Sequence, residues 1–171
     1  MTNYMKLEIA AHSINEAFAR SAVAAFALTL GPSLSELSDI KTAVSEAVTN
    51  SIVHAYNKKQ TSGRICIECE TTTENVSDAN GILHIKITDY GCGIADVEKA
   101  LLPFYTTLAD DERSGMGFTI MQTFMTDFSV RSKPGEGTIV YMNKKIGAQD
   151  MAMKKAANIS EKIEEREKVN A

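Results

Sequence analysis

The spacing of apolar residues changes near residue 60 of this chain, and that change limits what the chain can build. From Ser13 to Tyr56 apolar residues recur at intervals of three and four, the repeat of a helix with one buried side. Beyond residue 60 they recur at every second position, the repeat of a strand with one buried face. Helices first, then mostly neighbouring strands with helices interleaved late, do not suit a strictly alternating parallel sheet. They suit an α+β sandwich, one sheet with helices on one face.

A short strand over residues 6–10 opens the chain. Ser13-Ile14-Asn15-Glu16 then fits a capping box, and Phe18, Ala22, Phe26 and Leu30 follow at intervals of four as a core-facing stripe. Gly31-Pro32 stops that helix. Ser33-Leu34-Ser35-Glu36 is a second capping box, opening a helix with the stripe Leu37, Ile40, Val44, Val48 and Ile52 that runs to about Tyr56. Strands over 64–71 and around Leu83, Ile85 and Ile87, joined by a polar loop, read as a hairpin. A short helical piece over 96–101, a polar stretch over 106–117 and a helix over 118–125 come next. Strands over 128–133 and 138–145 are joined by Pro134-Gly135-Glu136-Gly137.

The 171 residues fit one domain, since domains commonly run ~100–200 residues. We expect it to cover 1–146. Residues 147–171 are charged, lack a strong apolar period, and read as a solvated helical or disordered tail. The formal net charge of -4, from 18 basic and 22 acidic residues, argues against a nucleic-acid binder. The start of the chain lacks the basic and apolar run of a signal peptide. The longest apolar stretch, residues 22–28, is far below the ~20 residues that span a bilayer, so a cytoplasmic protein without membrane contact is expected. Cys66 and Cys69 have metal-like spacing, but residues three apart on a strand point to opposite faces, so reduced structural thiols are expected.

Three pieces carry chemistry. Glu46, Asn50 and His54 recur every four residues on a side of the second helix separate from its apolar stripe. An amide oxygen such as that of Asn50 is a hard ligand suited to Mg²⁺, and Glu46 one turn away can take a proton from a hydroxyl. Asp89-Tyr90-Gly91-Cys92-Gly93 follows a strand directly; Gly91 and Gly93 let backbone approach a planar ligand, and Asp89 can accept from an amino group such as that of adenine. Ser114-Gly115-Met116-Gly117-Phe118 opens a helix whose free N–H groups suit a phosphate, with Arg113 beside it to reach a terminal one. Each piece alone also fits an ordinary turn or a solvent-facing helix side. There is no G-x-x-x-x-G-K-[ST] loop, no full G-x-G-x-x-G and no HRD or DFG signature.

In order, Glu46-x-x-x-Asn50, Asp89-x-Gly91-x-Gly93, Gly115-x-Gly117 and Gly137-Thr138 resemble the motif boxes of the GHKL ATPases, whose two-layer Bergerat-type sandwich has a mixed, largely antiparallel sheet. Within them the chain resembles the anti-sigma F family of spore-forming bacteria, on NEAFAR at 15–20, IKTAVSEAVTNSIVHAYN at 40–57, PFYTT at 103–107 and ERSGMGFTIM at 112–121. The resemblance spans roughly residues 3–146. It implies Glu46 as general base, Asn50 as Mg²⁺ ligand, and Asp89 and Thr138 as adenine-side contacts. Gly115, Gly117 and Arg113 would form a lid over the phosphates of ATP or ADP, with Thr106 and Thr107 at its start.

The resemblance further implies a homodimer that binds sigma factor F and phosphorylates a serine of an anti-anti-sigma factor, with Glu16 and Arg20 as partner contacts. Read physically, Glu16 and Arg20 are an (i, i+4) pair off the apolar stripe and should face solvent. Cys92 stands where a valine-like residue would be less surprising, and its small thiol is expected to pack. The loop over 72–81 is longer than the hairpin needs. Three alternatives stay open: a general-stress anti-sigma B type kinase, an ATP-gated sigma-binding module without turnover, and a detached histidine-kinase catalytic domain. No histidine-bearing helix pair precedes the domain to favour the last.

Overall fold

The computed structural model describes residues 2–56, 63–73, 81–105 and 115–147. The expected sandwich is present. Strand β1 (Thr2–Ala10) leads into α1 (Ile14–Ala27), a 3-10 turn (Leu28–Leu30), α2 (Leu34–Asn50) and a π-helical turn (Ser51–Ala55). Then follow β2 (Arg64–Thr72), β3 (Gly81–Asp89), α3 (Val97–Ala100), α4 (Gly117–Phe124), β4 (Asp127–Lys133) and β5 (Gly137–Ile146). The strands lie in the order β1-β2-β3-β5-β4, and among the described residues every pairing is antiparallel.

Alternation sorts the sheet into two faces. Ile9, Ile65, Ile67, Cys69, Leu83, Ile85, Ile87, Val140 and Met142 lie under the helices in one buried cluster. Cys66, three residues from Cys69, sits on the other face and is also buried; both thiols are free. That other face is polar, with Lys86 paired to Glu68 at 2.8 Å and Tyr4 donating to Glu68 at 3.0 Å.

Helix α2 follows its sequence. Ser33 caps it from an extended conformation and exchanges hydrogen bonds with Glu36, and Ile40, Val44 and Val48 are fully buried along the expected stripe. Its α-helical part stops at Asn50, earlier than the expected run to Tyr56, and gives way to the π turn. Helix α1 departs further. Ser13 is helical in backbone and caps nothing with its side chain. The buried residues of α1 are Ala19, Val23, Ala24 and Ala27, while Phe18 is 55% exposed and Phe26 is only partly buried; Leu30, in the 3-10 turn that follows, is buried as expected. The stripe is turned by one residue because small side chains let α1 lie close to α2, whose buried side likewise carries Ala43 and Ala47. Phenylalanines there would hold the helices apart.

The polar loop within 72–81 lies largely outside the described residues, as does the tail beyond Gly147. Gly147 itself is buried and donates its N–H to Glu36 at 3.0 Å, so the chain is tied to the start of α2 where β5 ends.

Candidate functional site

Pairing of β3 with β5 puts Asp89 opposite Thr138, and the C-terminal half of α2 lies above them. Between these elements and α4 is a cavity of about 700 Å³, within the ~300–1,000 Å³ range of small-molecule sites. Glu46, Asn50, His54, Asp89, Gly93, Gly115, Gly117 and Thr138 all line it. Three sequence motifs more than twenty residues apart therefore share one space.

Asp89 is 4% exposed and tightly held. Its Oδ1 accepts from the N–H groups of Gly91 and Thr138, each at 3.1 Å, and its Oδ2 accepts from Ser51 Oγ at 3.3 Å. Burial pushes the Asp89 carboxyl up from its ordinary range, against the lowering effect of those three donors. Oδ1 is spent on the backbone; Oδ2 keeps acceptor capacity for a ligand amino group. Ser51 was not anticipated from the sequence. Its signal is a small hydroxyl beside Asn50 on the buried side of the helix, which the apolar stripe hides.

The loop after β3 is fastened to the π turn. Cys92 N–H donates to Ala55 O at 2.8 Å, and Cys92 Sγ donates to His54 O at 3.1 Å. Gly91 stands behind the cavity wall, where a Cβ would fall 2.1 Å from Ala55 O, so only glycine permits this approach. Cys92 is exposed at the rim and not packed as expected, because its thiol is drawn to that carbonyl. Ser132, also unanticipated, accepts from Ile94 N–H at 2.8 Å and pairs with the Thr138 hydroxyl at 2.9 Å, locking the loop to the start of β5.

At the other end, α4 presents its N-terminus to α2. A Cβ on Gly117 would fall 3.0 Å from Asn50 Nδ2 and 3.1 Å from Glu46 Oε2, so backbone there meets both side chains closely. Gly115 has φ +64° and accepts from Phe104 N–H at 3.1 Å, which brings together the two ends of the stretch between them. Thr106, Thr107 and Arg113 belong to that stretch and lie outside the described residues.

A helix N-terminus beside an amide and a carboxylate can receive a phosphate chain, while a buried carboxylate can read an amino group. The donor set also suits Mg²⁺, which keeps several waters and binds through one or two protein oxygens plus phosphates. Among the described residues no cluster of three His, Cys, Asp or Glu side chains stands ready to cage an ion by itself.

Glu16 and Arg20 are elsewhere, on α1. Arg20 faces solvent as expected, but Glu16 is only 19% exposed. Besides Arg20 at 3.0 Å it accepts from Ser45 Oγ at 2.6 Å, so it bridges α1 to α2 one residue from Glu46.

Residues 9–144 match the model of the histidine kinase-like ATPase domain family. The chain is 49% identical to the anti-sigma F factor of Thermoanaerobacter sp. (strain X514), covering 86% of this chain and 96% of that one. It is 50% identical to the anti-sigma F factor of Caldanaerobacter subterraneus subsp. tengcongensis, covering 85% and 95%. The chain belongs to the histidine kinase-like ATPase family, among the anti-sigma F factors. The fold also matches part of a solved structure of the RsbU and RsbW domains of a Mycobacterium tuberculosis protein, at a TM-score of 0.55 and 14% identity, covering 84% of this chain and 32% of that one. No described helix is long and apolar enough to cross a membrane.

Proposed function

We propose that this chain is an anti-sigma factor that binds Mg²⁺-ATP, phosphorylates a serine of an anti-anti-sigma protein, and sequesters sigma factor F as a homodimer. The observation that carries the reading is the meeting of Glu46 and Asn50 with the α4 N-terminus in the same cavity as buried Asp89. The relatives named anti-sigma F factors support the choice of partners.

Asp89 accepts from the exocyclic amino group of adenine; guanine offers a carbonyl at that position, which a carboxylate repels. Thr138 and Ser51 orient Asp89. The N-terminus of α4, with Gly115, Gly117 and Arg113, holds the phosphates. Thr106 and Thr107 begin the segment that covers them. Mg²⁺ shared by Asn50 and the phosphates would neutralise charge on the group being transferred. Glu46 takes the proton of the acceptor serine as its oxygen bonds to the γ-phosphorus, and the bond to the ADP oxygen breaks. Glu16 and Arg20 meet the protein partners, on a helix that also exposes Ile14 and Phe18.

Intact-mass spectrometry of the anti-anti-sigma protein, after incubation with the chain, ATP and Mg²⁺, tests this. One phosphoryl group on a serine is expected. Glu46→Gln should lower the rate by roughly 10²–10⁴-fold with ATP binding retained, as for loss of a general base. Asp89→Asn should abolish ATP binding itself. Full activity of Glu46→Gln would remove Glu46 from the mechanism, and ATP binding without phosphate transfer would favour a pure binding module.

A further inference from the structure

Helices α2 and α4 run antiparallel, and two rungs join them. One rung is the site: Gly117, the first residue of α4, stands against Glu46 and Asn50. The other lies at the far end of α4, where Lys144 of β5 donates to Phe124 O at 2.6 Å and to Asp39 Oδ2 of α2 at 2.7 Å. Phe124 is seven residues from Gly117, and Asp39 is seven from Glu46. At ~1.5 Å per helical residue both spacings are about 10.5 Å, so the two rungs are equally far apart along both helices.

Helix α4 contributes few buried side chains of its own, although it lies against α2 and the C-cap Met125 is buried in the core. It has eight residues, and Met121 is its one buried side chain; Phe118 is partly buried against Phe128, with ring centroids 5.9 Å apart. With so little buried along its length, the direction of a short helix is set largely by what holds its two ends. Phe124 O is among the last carbonyls of the helix, which find no partner within it, and an ammonium satisfies such a group and suits the dipole. The side chain of Lys144 is only 13% exposed, so the bridge is made largely out of water.

We propose that Lys144 is a positioning residue: by clamping the C-terminal end of α4 to α2, it sets where the α4 N-terminus stands against Asn50 and Glu46. It thereby tunes the grip on the nucleotide phosphates and leaves the adenine end untouched. This rests on the ATP-binding reading above. The adenine end depends on Asp89, Thr138 and Ser51, none of which belongs to α4 or contacts Lys144.

The test compares two ligands on the full chain, Mg·ADP by calorimetry and adenosine by ligand-observed NMR titration. Lys144→Met keeps the apolar stem and removes the donors. It should weaken Mg·ADP by about tenfold or more and change adenosine affinity by less than about twofold; Lys144→Arg should recover most of the loss. If Lys144→Met does not fold, Asp39→Asn loosens the same rung and should show the same split. Equal weakening of both ligands would make Lys144 a general stabiliser and overturn the proposal, as would unchanged Mg·ADP affinity. If the unaltered chain binds no Mg·ADP, the ATP reading fails and this proposal falls with it; unaltered binding with no split overturns this proposal alone.

Discussion

The same four-residue pattern, Ser-x-x-Glu, stands at the start of α1 and of α2, and the two copies do opposite things. Before α2, Ser33 is extended (φ -64°, ψ 163°), its Oγ accepts from Glu36 N–H, and Glu36 reaches back to Ser33 N–H. Before α1, Ser13 is already helical (φ -55°, ψ -32°). There the Glu16 N–H is taken by Ser13 O at 3.2 Å and the Asn15 N–H by His12 O at 2.9 Å, so no donor is left for the hydroxyl. Glu16 is free to turn outward to Arg20 and across to Ser45. A capping box needs its first residue extended, and that is decided by how the preceding element, β1 before α1 and the 3-10 turn before α2, delivers the chain.

Glu36→Ala should cost most, about 2–3 kcal/mol in urea unfolding, since it removes the reciprocal cap and the anchor of Gly147. Burial alone would raise the Glu36 carboxyl, but hydrogen bonds from Ser33 and Gly147, with Lys144 nearby, outweigh it and hold it below its ordinary value. A depressed carboxylate contributes stability that is present above its unfolded pKa, near ~4.3, and lost as pH falls through the folded one. The gap between the unaltered chain and Glu36→Gln should therefore close on acidification in that range; a gap constant with pH would show that the charge plays no part.

Glu16→Ala should cost less, about 1 kcal/mol, because Arg20 is 42% exposed and only the Ser45 bond is sheltered. Ser13→Ala should be smallest, within ~0.5 kcal/mol, like other surface changes that touch no cap. A loss equal to that of Ser33→Ala, about 1 kcal/mol, would mean that Ser13 caps in solution after all.

Much of the site is legible in the sequence. Glu46 and Asn50 share a helix side by arithmetic, and Asp89 ends a strand whose alternation is plain. Ser51 and Ser132 were not legible, because each acts only through a neighbour brought from another element: Asp89 for the first, Ile94 and Thr138 for the second. Phe18 is exposed against expectation for a related reason. Periodicity says that a helix has an apolar side, but bulk alone does not say which of two adjacent rows meets the next helix.

By itself, the sequence determined the element order, the α2 stripe, the strand faces and the order of the motifs, all of which follow from repeats and turns within one element. The tertiary structure alone decided the rotation of α1, the π turn after Asn50, the placement of Thr138 beside Asp89 and the Lys144 bridge between helices. Those depend on contacts between residues far apart in the chain, and no local period encodes them.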